Sequence, residues 1–169
     1  MENQPEKKRK PAARIASSTL GINELGRVPP QAVDLEQAVL GAMMLEKNAV
    51  TDTIDILKIS SFYDPKHQYI YGAIRELFGS SSPIDLLTVI NYLKKKGELE
   101  AAGGAAYVSS LTSRVASTAH VEYHARVISE KYIKRELIRM SSEVIKDAFD
   151  ETQDVFDVLG KAEGELFQI

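Results

Sequence analysis

Between residues 119 and 149 the chain contains neither proline nor glycine and is rich in Glu, Lys, Arg, Ile and Leu, so nothing there breaks a helix. One long helix is predicted, and its apolar residues constrain everything around it. Val121, Ala125, Ile128 and Tyr132 fall on one stripe, whereas Ile133, Leu137, Met140, Val144 and Ala148 fall on another, displaced around the axis. A single partner helix cannot cover both. After a polar break at residues 152–154, Val155, Leu159, Ala162 and Leu166 recur at helical spacing, which predicts a second helix folded back as an αα-hairpin. Gly160 and Gly164 weaken that helix by about 1 kcal/mol each relative to alanine. The surplus stripe has two outlets. Copies of the chain associate through it, because large apolar patches seldom face water, or the rest of the chain folds back over it.

The preceding residues read as a set of shorter helices. Pro29 and Pro30 end a polar lead-in. Asp34 followed by Gln37 predicts a capping box ahead of Leu35, Ala38, Val39, Ala42 and Met43, with the helix running to about Leu45. Asn48 is expected to cap a short helix carrying Val50, Ile54 and Leu57. Asp64 and Pro65 form an N-cap and first-turn proline ahead of Ile70, Ile74, Leu77 and Phe78. Asp85 opens a helix with Leu86, Val89, Ile90 and Leu93, which Gly97 closes in the left-handed conformation. Gly103 and Gly104 turn the chain into a short helix with Tyr107, Val108 and Leu111. No alternating β-branched run competes, so the expected class is all-α: a compact multi-helix head at residues 28–116 followed by a long antiparallel hairpin at 117–169. Residues 1–27, with Lys7, Lys8, Arg9 and Lys10, read as a flexible basic tail.

Composition limits the chemistry. With 44% hydrophobic and 27% charged residues the chain has a globular balance. The absence of cysteine excludes disulfides, thiolate metal sites and a cysteine nucleophile. No apolar run approaches the roughly 18 residues that span a bilayer, and a cytoplasmic location is expected. A net charge of -3 argues against a broad phosphate-gripping surface, so contact with DNA is expected to be indirect.

No catalytic constellation emerges. Gly21 to Gly26 has the glycine spacing of a phosphate-binding loop but continues with Arg27 and Val28, supplying neither the lysine nor the hydroxyl that hold phosphate and magnesium. His120 and His124 share a helix face, yet Glu122 between them lies on another face and no third ligand is evident. His67 reads as a capping or packing residue. Ser109, Ser110, Ser141 and Ser142 lie in ordinary helical context without a nucleophile-elbow pattern. No metal, cofactor or catalytic site is expected in these residues.

A set of motifs in fixed order carries more. Pro29-Pro30 and Asp34-Leu35-Glu36-Gln37-Ala38-Val39-Leu40-Gly41-Ala42-Met43-Met44-Leu45 open it. Phe62-Tyr63, His67, Ile70-Tyr71, Pro83-Ile84-Asp85-Leu86-Leu87-Thr88-Val89, Leu99, Gly103-Gly104, Tyr107 and Leu111 follow. Tyr123-His124-Ala125, Ile128, Arg135, Leu159, Ala162-Glu163 and Phe167 complete it. Over residues 27–169 this pattern resembles the N-terminal domain of DnaB-type bacterial replicative DNA helicases. The basic tail is not part of it.

The resemblance implies a domain whose hairpins pair, the dimers joining three-fold as the collar of a hexamer. It also implies docking of the helicase-binding part of primase and, in some lineages, of a helicase loader, at replication forks in the nucleoid. A full-length member continues through a linker into a RecA-like motor that uses ATP and magnesium. That motor is absent from these residues, so the fragment is expected neither to hydrolyse ATP nor to unwind DNA. Ile128, Tyr132, Leu137, Met140, Val144, Val155 and Leu159 are the candidates for hairpin closure and self-association, with each residue's share left open. The rival to this picture is a free-standing helical adaptor or regulator that never carried a motor.

Overall fold

Aspartates cap three helices, and two of them, Asp64 and Asp85, are the caps expected from the sequence. The computed structural model describes residues 27–115 and 117–169. Its helices are α1 (Val33–Leu45), α2 (Lys47–Thr53), α3 (Pro65–Gly79), α4 (Leu86–Lys96), α5 (Gly104–Ser113), α6 (Val121–Phe149) and α7 (Val155–Gln168), with a 3-10 turn at Ile59–Ser61. No strand occurs among the described residues. Asp64 accepts from the Lys66 N–H at 2.9 Å, with Pro65 behind it in the first turn. Asp85 accepts from the Thr88 N–H at 2.9 Å, and the Thr88 hydroxyl in turn accepts from the Asp85 N–H, closing a capping box. Asp154 accepts from the Phe156 N–H at 2.8 Å. Gly97, at φ 75°, ends α4 in the conformation that only glycine adopts without strain.

Two expected caps are corrected. The N–H groups of Leu35 and Glu36 both bond to the Ala32 carbonyl, so α1 has already begun when Asp34 is reached. Asp34 lies in the first turn, where its charge faces the positive end of the helix dipole. Asn48 does not cap α2, because the chain turns helical at Lys47 directly after the extended Glu46. Leu57 lies beyond that helix but is still buried.

The core gathers around α1, which touches α2, α3, α4, α5 and α6. Its residues 39–44 are all buried, the pattern of a helix surrounded on every side. Gly41 allows the close approach of α5: a Cβ there would lie 2.3 Å from the Leu111 carbonyl oxygen and 2.6 Å from Cγ2 of Val115. Phe62, Ile70, Tyr71, Ile74, Val89, Leu93, Val108 and Leu111 complete the centre.

Val121, Ala125 and Ile128 belong to that same cluster, so the packed head takes in the first two turns of α6, past the expected division at residue 117. From there α6 leaves the head, and over its 29 residues it spans about 44 Å at 1.5 Å per residue. α7 returns antiparallel along its far half. Arg139 meets Glu165 at 3.3 Å and Lys161 meets Asp147 at 2.7 Å, partners that run in opposite order along the two helices.

Candidate functional site

Half of the exposed large apolar side chains among the described residues lie on α7 and the far half of α6. On α7 no residue is buried. Val158, Ala162, Glu165 and Ile169 are the half-buried ones, at the spacing of a single stripe, so this is the side that faces α6. Val155, Leu159 and Leu166 lie on one flank of that stripe at 69%, 65% and 53% exposure, and Phe156 and Phe167 further round are barer still. On α6, Met140 and Val144 are half-buried on the side of the ion pairs to α7, whereas Leu137, Ile145 and Phe149 stand open.

The seven sequence candidates therefore separate. Met140 and Val144 face the hairpin seam. Leu137, Val155 and Leu159 lie on its exposed flank. Tyr132 is half-buried at the junction with the head, where Lys58 and Arg135 lie over its ring at 5.9 Å. Ile128 is corrected: it is 1% exposed inside the head core, where neither α7 nor another molecule can reach it. The stripe opened by Val121 is covered by the head, and the surplus stripe is only partly covered by α7. Sequence reasoning passed over Ile145, Phe149 and Phe156, because they fall outside the regular apolar spacing of either helix.

Arg135 fixes the direction in which the hairpin leaves. Its guanidinium donates to the carbonyls of Pro30 (2.9 Å) and Ser61 (2.8 Å) and more weakly to that of Ser60 (3.4 Å). It also lies over the Tyr63 ring, 5.6 Å from the centroid. A planar fork suits this use, since it satisfies several carbonyls while stacking on an aromatic face. Half-burial lowers its pKa, with the Glu36 carboxylate pulling the other way.

A second cluster lies wholly inside the head. Glu36, 1% exposed, accepts from the Tyr63 N–H at 2.7 Å and the Asp64 N–H at 3.3 Å, and lies 2.7 Å from His67 Nδ1. His67 Nε2 lies 2.7 Å from the Tyr107 hydroxyl. An ionised carboxylate only accepts, so Nδ1 carries the ring proton and Nε2 of the neutral imidazole takes the Tyr107 O–H. Burial raises the Tyr107 pKa, which keeps that hydroxyl protonated. The cluster joins α1, α3 and α5 and leaves no buried side-chain polar atom unpaired among the described residues.

A Glu-His pair of this kind orients catalytic bases elsewhere, but here both residues are sealed, with 0% and 1% of their side chains exposed. Its visible work is to lock three helices together. His67 is thus the packing residue that its position suggested, and Glu36 is the partner that sequence reasoning missed. His120 forms the N-cap of α6 and His124 is half-buried beside the Tyr123 ring. No group of three or more His, Asp or Glu side chains able to hold a metal occurs among the described residues. No helix there is long and apolar enough to cross a membrane. Gly21 to Gly26 and the Lys7–Lys10 cluster lie outside the described residues.

Comparison with known proteins places this geometry. Residues 28–130 match the model of the DnaB-like helicase N-terminal domain. The replicative DNA helicase DnaB of Rhodothermus marinus is 49% identical over 146 residues, 86% of this chain and 15% of that protein. DnaB of Mycobacterium leprae is 36% identical over 148 residues, 86% of this chain and 24% of that protein. The replicative DNA helicase DnaC of Bacillus subtilis is 36% identical over 143 residues, 85% of this chain and 32% of that protein. The chain thus spans a third or less of these curated relatives.

Among solved structures, the N-terminal domain of DnaB helicase from Mycobacterium tuberculosis superposes with a TM-score of 0.79 at 36% identity, covering 84% of this chain and all of that one. A DnaB-like replicative helicase, described with its interactions with primase, gives 0.66 at 26% identity over 80% of this chain and 31% of that one. With the sequence motifs, the all-helical architecture and these matches in agreement, the chain belongs to the DnaB-like helicase N-terminal domain family.

Proposed function

We propose that this chain is the assembly and partner-docking domain of a replicative helicase. It associates through the exposed flank of its hairpin into dimers, which join as the collar of a hexamer, and it docks primase and, where one exists, a helicase loader. ATP and magnesium serve the motor of the longer protein, and this piece neither hydrolyses ATP nor unwinds DNA by itself. Its place is the cytoplasm, at replication forks in the nucleoid, with DNA contacted only indirectly.

The observation that carries this proposal is the set of apolar side chains left open on the hairpin, Leu137 and Ile145 on α6 and Val155, Leu159 and Leu166 on α7, each more than a third exposed. Exposure on that scale marks an interaction surface. Primase docking is supported by the likeness to the helicase described with its interactions with primase.

Sedimentation velocity across a concentration series tests the assembly. Association is expected for the unaltered chain and a monomer for Leu159→Glu, with unchanged thermal unfolding of the head. A chain that remains monomeric at every concentration would falsify the collar role. Adding a primase C-terminal domain should produce a faster-sedimenting complex, and its absence would remove the docking role.

A further inference from the structure

We propose that α7 docks stably on α6 only when a second copy covers the flank, so that the surface is completed by the association it supports. This rests on the self-association proposed above and concerns how that surface is regulated.

What holds α7 in a single copy is slight. Its 14 residues are about the length below which an isolated helix is marginal in water. It buries no residue, and its α6-facing stripe includes only Val158, Ala162 and Ile169 as apolar members, beside Glu165. The two cross-links, Arg139–Glu165 and Lys161–Asp147, join half-exposed cations to carboxylates only 23% and 20% exposed, and water and salt still reach and screen them from the cation side.

Gly160 and Gly164 weaken the helix further, and packing does not demand them. A Cβ at either position would meet nothing within 4 Å. Meanwhile Val155, Leu159 and Leu166 reach the flank only when α7 is in place. The apolar area that a second copy would bury is therefore the area that repays the ordering of α7.

Hydrogen exchange of the full chain, followed through the association midpoint fixed by sedimentation, separates the outcomes. Amides of residues 158–167 should become protected as concentration rises, while those of residues 39–44 and 70–74 stay protected throughout. The glycines give a second arm, since both lie on the side of α7 turned away from α6. Replacing either with alanine favours the helix about fivefold. Because both protomers gain, association should tighten by up to about 25-fold. If the chain associates but α7 is equally protected at the lowest concentration, or Gly160→Ala and Gly164→Ala leave the association constant unchanged, the coupling is wrong and the collar role survives. If no association occurs at any concentration, both fall.

Discussion

Replacing Glu36 with leucine tests whether the buried cluster organises the head. The substitution leaves the Tyr63 N–H, the Asp64 N–H and the His67 Nδ1–H facing an apolar side chain, all previously held by one carboxylate at 2.7, 3.3 and 2.7 Å. A buried donor left without an acceptor costs about 1–3 kcal/mol. Burying the leucine side chain recovers part of this, so a net loss of about 3–4 kcal/mol is expected. Glu36→Gln should cost only about 1–2 kcal/mol. Its carbonyl can keep the Tyr63 N–H, and its amide can donate to Nδ1 once the imidazole proton moves to Nε2 and turns toward the Tyr107 oxygen. Only the weaker Asp64 bond is then lost. Urea unfolding followed by helical circular dichroism supplies both free energies. A leucine variant within 1 kcal/mol of the unaltered chain, or a glutamine variant as damaging as leucine, would show that the cluster is not the fastening described.

Gly41→Ala should destabilise the head although alanine is the better helix former. Its Cβ would sit 2.3 Å from a backbone oxygen of α5, which cannot turn aside as a side chain would. Overpacking at about 1–3 kcal/mol or more exceeds the helix gain of about 1, so a lowered melting temperature is expected and a raised one refutes the close crossing. Tyr71 gives an alkaline signature: its buried hydroxyl donates to the Leu57 carbonyl at 2.9 Å, and burial raises its pKa from 10.0 to about 12. The unfolded chain loses this proton first, so the contribution is whole below pH 10 and lost as pH climbs through 12, about 1 kcal/mol of it by pH 11. Urea midpoints at pH 9 and 11 should differ less in Tyr71→Phe than in the unaltered chain, and equal differences count against a buried hydroxyl.

Helical spacing shows which faces are apolar but not what covers them, and this decided what the sequence revealed. The two stripes of α6 were legible because one helix carries both, yet their period is the same whether a head, a neighbouring helix or a second molecule lies opposite. Ile128 was therefore grouped with the hairpin although it completes the core. On α7, Leu159, large and apolar, fitted hairpin closure and self-association equally well. The true seam contains Glu165, which crosses to Arg139 and so lies on an inward face without an apolar signature. Asp64 and Asp85 were readable because a cap acts within three residues. Glu36 and Arg135 were not, since their partners lie 27 to 105 residues away and a charged residue on a helix ordinarily reads as solvated.

Those two charged residues mark where one long helix passes from the head to the hairpin. Glu36 and Arg135 hold opposite sides of the same short segment: Glu36 takes the N–H groups of Tyr63 and Asp64, while Arg135 takes the carbonyls of Ser60 and Ser61 and stacks on Tyr63. The segment is the splint between the head's interior and the point at which α6 leaves it. Because the carbonyl of Pro30 also binds Arg135, the lead-in to α1 is fastened at the same point. Beyond it α6 has only α7 for company, so the exposed flank is carried outward from a root set by hydrogen bonds rather than by apolar packing alone. Directional bonds fix an angle as well as a distance, and the self-association proposed for this flank would require both. Loosening the root should therefore misdirect the flank while leaving its apolar residues unchanged.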